Sequence, residues 1–412
     1  MMDMDRRTLL GGAAAVPLAA PLAAAAPAPD YWEQIAREYD VTREVIQLEH
    51  GNWGMMARPV LTAYRAHVER VNRDTSYYAR RSMVGDIEDV RATLASAMGV
   101  GLDEIALTRN ATEAMKALIL QYNRLKPGDA VLYADLDYDS MQTSMESLAS
   151  RRGVKVIKIA LPEPATRQSL IDAYRSAFDA NPAIKMALLT HLSHRTGLVL
   201  PIAEISDLAR SRGIDVLVDA AHSVGQLDFK LPDLKADFIG INLHKWIGAP
   251  LGVGAIIIRR DRIGAIDPDP AENPSSNDVR TRVHTGTPDY AAQLTVLTAL
   301  AFQAAIGADR RAARLRSLRD RWVHQVIGLP QVQIFTPEEP GMYGAMTSFR
   351  LRGRTSHEDN VAVAKALLDK HRIFTVHRDG LGSGSCVRVT PALATRMSDC
   401  DALAAAIRAL VA

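Results

Sequence analysis

The sequence predicts an α/β protein in which a mainly parallel sheet covered by helices is followed by a smaller α+β domain. Three observations carry this. The chain has 412 residues, 48% of them apolar, enough for a large core and for two packed domains. From about residue 100, short β-branched runs alternate with amphipathic stretches, the order that builds a parallel sheet with helices on its faces. Turn signals then close each helix shortly before the next strand: Lys126-Pro127-Gly128-Asp129, Arg151-Arg152-Gly153 and Ser211-Arg212-Gly213.

Strands are expected at 130–134, 154–159, 184–190, 214–218, 236–241 and 252–258, with helices from near Asp139 and over 202–210 between them. A long helical stretch follows near 290–325. Strands at 331–335, 345–350, 372–376 and 385–389, a helix at 357–370 and a last helix from about 398 complete the smaller domain. The expected division is an N-terminal arm over 30–57, a large domain over 58–305 and a small one over 306–412. Residues 1–29 stand apart. Arg6-Arg7 precedes an Ala-rich apolar stretch running to about Ala26, the layout of a twin-arginine signal, and implies a periplasmic or secreted protein. Pro17, Pro21 and the many alanines make this stretch a weak spanning helix, so no stable membrane span is expected after its removal.

Composition narrows the function. Lys plus Arg number 49 against 47 Asp plus Glu, a formal charge of +2, so no basic face marks a nucleic-acid partner and a small molecule is the expected substrate. The two cysteines, Cys386 and Cys400, exclude a disulfide framework and a four-cysteine zinc site; two core thiols are expected, and no metal. A dinucleotide-binding oxidoreductase would need Gly-x-Gly-x-x-Gly between a first strand and its helix, and the chain has none.

The chemistry concentrates at two strand ends. Val216-Leu217-Val218 runs into Asp219, with His222 three residues on; Phe238-Ile239-Gly240-Ile241 runs into Asn242-Leu243-His244-Lys245. In an open parallel sheet, ligands bind beyond the carboxyl ends of the strands, so an acid and a lysine aim at one crevice. Pyridoxal 5'-phosphate asks for this pair: an amine to form an imine, and a carboxylate to keep the pyridine nitrogen protonated. Alone, Asp219 reads as a helix cap and Lys245 as a surface lysine; together and in this order they favour the cofactor. Its phosphate needs an anion site, and Thr108-Arg109-Asn110-Ala111-Thr112 leads into a helix with apolar Met115, Leu118 and Ile119. Backbone N–H groups at that helix start, with the Thr112 hydroxyl, suit it; an ordinary capped helix reads the same way.

These motifs resemble the class V aminotransferase family of fold-type I pyridoxal-phosphate enzymes, particularly its isopenicillin N epimerase-like branch, over nearly everything after the signal. The resemblance implies that Ala111 and Thr112 bind phosphate, that Asp219 meets the pyridine nitrogen and that Lys245 carries the Schiff base. It places His222 and His244 near the phosphate or ring oxygen, His194 near the ring oxygen with Arg195 beside it, and Tyr138 over the cofactor face. Asn52 falls in a loop at the substrate entrance, and Arg388 matches the arginine that holds a substrate carboxylate. Gly286 and Thr287 match a segment that reaches the partner subunit's phosphate, which implies a homodimer with shared active sites. Where relatives continue with a Tyr-Asn-Thr-like stretch, this chain has Ala394-Thr395-Arg396, a departure at the mouth of the site.

The cofactor weakens every bond to the α-carbon of an amino acid, so the pair Asp219 and Lys245 does not choose the bond that breaks. Desulfurisation needs a mobile, activated thiolate, whereas Cys386 sits two residues from Arg388 on an expected strand. The expectation is proton abstraction at the α-carbon by Lys245, in an aminotransferase or epimerase, with Tyr138, His194 or a substrate-bound water as the acid/base on the opposite face in epimerisation. Carbon–sulfur lyase or cysteine desulfurase activity, and a silent secreted binding protein, are the alternatives.

Overall fold

A computed structural model describes residues 31–412; the twin-arginine segment and its consequences for localisation lie outside the described residues. The arm holds α1 (Tyr31–Arg37) and β1 (Ile46–Gln47). Next come α2 (Arg58–Arg81), α3 (Met83–Met98), β2 (Ile105–Thr108), α4 (Ala111–Leu120), β3 (Ala130–Ala134) and α5 (Asp139–Arg152). The chain continues with β4 (Lys155–Ile159), α6 (Arg167–Ala180), β5 (Ile184–Thr190), α7 (Ile202–Arg210), β6 (Asp215–Asp219), β7 (Phe238–Asn242), β8 (Gly254–Ile258) and α8 (Tyr290–Ile306). After them come α9 (Ala308–Val323), β9 (Val332–Ile334), β10 (Thr347–Leu351), α10 (His357–His371), β11 (Ile373–Phe374), β12 (Val376–Arg378), β13 (Cys386–Val389) and α11 (Met397–Val411).

The central sheet has the order β2-β8-β7-β6-β5-β3-β4. Strands β3 to β7 pair in parallel, while β8 runs antiparallel to both β7 and β2. The reason is local: the chain passes from β7 to β8 through a loop without a helix, whereas parallel neighbours need a longer crossover. Lys245 lies in that loop. Alternation along each strand feeds two separate cores. Leu132, Leu189, Val218, Ile239 and Ile257 enter one, while Val131, Leu188, Leu217, Phe238 and Ile256 enter the other. Both faces are thus dry, which explains near-continuous apolar strands. Each fully buried side chain of this kind stabilises the fold by about 1.5–3 kcal/mol.

The smaller sheet has the order β12-β13-β10-β9 and is antiparallel throughout. Its core joins Trp322 of α9, Phe349 of β10, Leu367 of α10, Val387 of β13 and Leu403 of α11. The arm reaches it: β1 pairs in parallel with β11, and Glu49 bridges to Thr390.

Three sequence expectations need correction. The stretch 290–325 is two helices, α8 and α9, broken at Gly307, whose φ of 92° interrupts the helical path. The strand expected at 372–376 is two, because β11 pairs with the arm and β12 with β13. Sheet edge β2 and helices α2, α3 and α6 carry signals the strand and helix patterns above did not single out. Among the described residues, no single helix is long and apolar enough to cross a membrane.

Candidate active site

Thr190, Asp219 and Asn242 end three adjacent parallel strands, and the cavity opens beyond them. It holds about 190 Å³ and is lined by Asn52, Asn110, Ala111, Thr112, Tyr138, Thr190, His194, Asp219, Ala221, His222, Asn242, His244 and Lys245. Ten of the twelve residues proposed from the sequence concern this crevice directly or sit beside it; the exceptions are Gly286 and Thr287. These two precede α8 and are not among the lining residues.

Lys245 and His222 form the centre. Lys245 Nζ lies 2.9 Å from His222 Nε2, and Trp246 Nε1 lies 3.4 Å from His222 Nδ1. Because the indole can only donate, Nδ1 accepts, and a neutral His222 carries its proton on Nε2. That proton points at the Lys245 lone pair, which requires an uncharged amine. Burial pushes the Lys245 pKa from 10.5 down to about 8, helped by the Arg388 charge and opposed by Asp219 and Glu49. His222 is held well below the usual histidine range, first by burial and then by Lys245. Burial thus moves the amine toward the uncharged form that this geometry requires, the form that predominates above about pH 8.

Asp219 is buried, with Oδ1 accepting the Ala221 N–H at 2.9 Å. Burial raises its pKa, opposed by that N–H and by Lys245. A cationic N–H placed against its remaining oxygen would hold it ionised.

The first turn of α4 is the candidate anion site. Asn242 Oδ1 takes the Ala111 N–H at 2.7 Å, tying the end of β7 to this helix, and Asn110 Oδ1 caps the Glu113 N–H at 2.8 Å. Thr112 lies between them on the cavity wall, where the helix dipole adds positive potential. His244 contributes from the opposite loop; its Nδ1 lies 3.2 Å from the Val253 carbonyl, to which it donates. Asn110, Thr190, Ala221 and Asn242 were not singled out from the sequence. Thr190 could have been, since it ends its strand as Asp219 does.

Tyr138 precedes α5 and meets His194 edge to face, centroids 5.2 Å apart. Burial brings the His194 pKa down to about 3. Its neighbour Arg195 makes an ion pair with Asp139.

Arg388 is not on an edge: β13 lies between β12 and β10, and the side chain is 1% exposed. Its guanidinium donates to the His194 carbonyl at 2.6 Å and pairs with the Glu49 carboxylate, which also meets Arg378 at 3.3 Å. Arg388 therefore sits behind the cavity wall, with Glu49 on the guanidinium that a substrate carboxylate would need. The arm closes this side. A Cβ on Gly51 would lie 2.8 Å from Arg388 Nη2, and one on Gly54 only 1.8 Å from the Lys245 carbonyl oxygen. Both positions require glycine for the arm to approach so closely.

The residues fit pyridoxal 5'-phosphate: a buried amine of lowered pKa, a buried acid with an open oxygen, and a helix start with an open threonine, all on one cavity. Fold and site define a pyridoxal-phosphate-dependent enzyme of fold type I. The chain belongs to the aminotransferase class-V family, whose model matches residues 56–403. It is 28% identical over 399 residues to isopenicillin N epimerase of Streptomyces clavuligerus, covering 92% of this chain and 98% of that one. A putative L-cysteine desulfhydrase of Oryza sativa subsp. japonica is 27% identical over 359 residues, covering 79% and 71%. Among solved structures, the apo cysteine desulfurase of Thermococcus onnurineus NA1 superposes with a TM-score of 0.79 at 20% identity, over 94% of this chain and 99% of that one. At that identity the likeness shows the fold.

Proposed function

We propose that this enzyme moves the α-proton of an amino acid, in an epimerisation or transamination, with Lys245 as the base. When bound, pyridoxal phosphate holds the amino acid through its α-amino group and draws electrons from the bonds at the α-carbon. Lys245 takes or returns the proton there, its pKa lowered by burial and its amine oriented by His222. Asp219 supplies the negative charge at the ring nitrogen, and Thr112 with the first turn of α4 holds the phosphate. Arg388 binds the substrate carboxylate once Glu49 yields it.

The observation that carries this reading is the contrast between Lys245 and the cysteines. Among the described residues, Lys245 is the only lysine on the cavity wall. Cys386 is fully buried in β13 and its pKa is pushed up to about 11; Cys400 is buried in α11 and pushed up to about 12. Neither thiol is placed to attack a substrate sulfur, which removes the nucleophile that sulfur transfer to the protein requires. Similarity to an isopenicillin N epimerase over 92% of the chain supports the same choice. Export through the twin-arginine segment, and a homodimer in which Gly286 and Thr287 reach the partner's phosphate site, belong to the same proposal.

The test is to incubate the holoenzyme in heavy water with a panel of L- and D-amino acids, following α-deuteration, chirality, keto acid and sulfide. Deuteration with inversion or amino-group transfer, lost in Lys245→Ala, is the expected result. Sulfide and keto acid released from cysteine, with neither inversion nor amino-group transfer on any substrate, would replace it with carbon–sulfur elimination.

A further inference from the structure

One cluster of donors on the small domain takes no part in this chemistry. His357 begins α10, His377 lies on β12, and Asp379 follows that strand. His357 Nδ1 is 3.0 Å and His377 Nε2 3.6 Å from Asp379 Oδ2, and the three candidate ligand atoms lie within 4.8 Å of one another. The two imidazoles meet edge to face, centroids 4.7 Å apart. Tetrahedral zinc has ligand bonds of about 2.0–2.2 Å, so neighbouring ligand atoms stand roughly 3.3–3.5 Å apart. Two of the three separations already bracket that value. The third closes by side-chain torsion, since the three side chains are 53%, 36% and 47% exposed.

The surroundings prepare the carboxylate. Ser385 Oγ donates to Asp379 Oδ1 at 2.6 Å, which leaves Oδ2 for the imidazoles. Ser385 is itself held, its carbonyl accepting from Arg350 Nε at 2.6 Å. Such outer partners orient metal ligands. The adjacent cation, Arg378, alternates to the other face of β12, where it meets Glu49. Glu358 and Asp359 in the first turn of α10 offset the positive end of that helix.

We propose that His357, His377 and Asp379 bind one zinc ion, with water in the fourth position. Two imidazoles and a carboxylate suit zinc. The ion staples the start of α10 to β12, the strand whose Arg378 supports Glu49 behind the active site.

The test uses the full-length holoenzyme without a polyhistidine tag, titrated with zinc by calorimetry. The expected result is one zinc per chain, with affinity about 10- to 100-fold weaker in Ser385→Ala and binding lost in His357→Ala/His377→Ala. Zinc should raise the melting temperature of the wild type and leave that of the double variant unmoved. No stoichiometric binding, or binding unchanged in a folded double variant, would overturn the proposal. Because the cluster lies outside the cavity, the double variant should retain its cofactor, which separates failure here from failure of the proposed activity.

Discussion

Lys245 Nζ lies 2.9 Å from His222 Nε2, and Trp246 on the far side of that imidazole directs its proton toward the amine. A lysine held this way is ready to react at neutral pH. With its pKa at about 8, roughly 10% is uncharged at pH 7, against about 0.03% for an ordinary lysine.

Uptake of pyridoxal phosphate by the apo-protein should therefore track the uncharged amine. The rate should climb about tenfold per pH unit below about pH 8 and level off above it, because the lowered pKa brings deprotonation into that range. Stopped-flow absorbance reads this directly. A flat profile across roughly pH 6 to 9 would contradict the assignment. Lys245→Ala should lose the visible band and at least about 100-fold in activity while remaining folded.

Thr112→Val keeps the shape of α4 and removes one donor facing the cavity. Hydrogen bonds to charged groups are worth about 1.5–3 kcal/mol, so cofactor affinity should fall by roughly 10- to 100-fold. Thr112→Ser should restore most of it. A titration of apo-protein that finds wild-type affinity in the valine variant would remove this hydroxyl from the anion site.

Glu49 and Arg388 are both buried and paired across 339 residues of sequence. Removing Glu49 strands the buried Arg388 charge, so Glu49→Ala should cost about 3–5 kcal/mol in chemical denaturation, and Arg388→Ala less, because Glu49 keeps Arg378. Replacing both, as Glu49→Ala with Arg388→Ala, should cost less than the sum. Strict additivity would mean that the pair is not coupled. Arg388→Ala should also raise KM for an amino acid more than it lowers kcat.

Gly54→Ala drives a methyl group to within 1.8 Å of the Lys245 carbonyl oxygen. The arm or the lysine loop must shift, costing about 1–3 kcal/mol of stability and lowering activity with it. Gly264→Ala, where a methyl group meets nothing within 4 Å, is the control and should be near neutral in melting temperature.

Much of the site was legible because it depends on local order. An apolar run that stops at an acid or at His-Lys reports a buried strand and its exit, and parallel sheets gather such exits on one edge. Asp219 and Lys245 follow from that rule together with the chemistry of the cofactor, and Thr112 from a polar turn that opens a helix. Likewise, short β-branched apolar runs marked β3 to β8 to within one or two positions, since burial on both faces leaves a near-continuous apolar run in each strand separately.

What the tertiary structure decided are relations between distant residues. The sequence by itself places Arg388 on a strand between valines, but only the folded chain puts Glu49 on its guanidinium. Only there does Trp246 fix the proton of His222, β8 run against β7, and the stretch 372–376 divide between two partners. Side-chain period records whether a residue is buried, and it carries no information about which distant group it is buried against. That choice is made by packing, and here packing sets the charge state of Lys245.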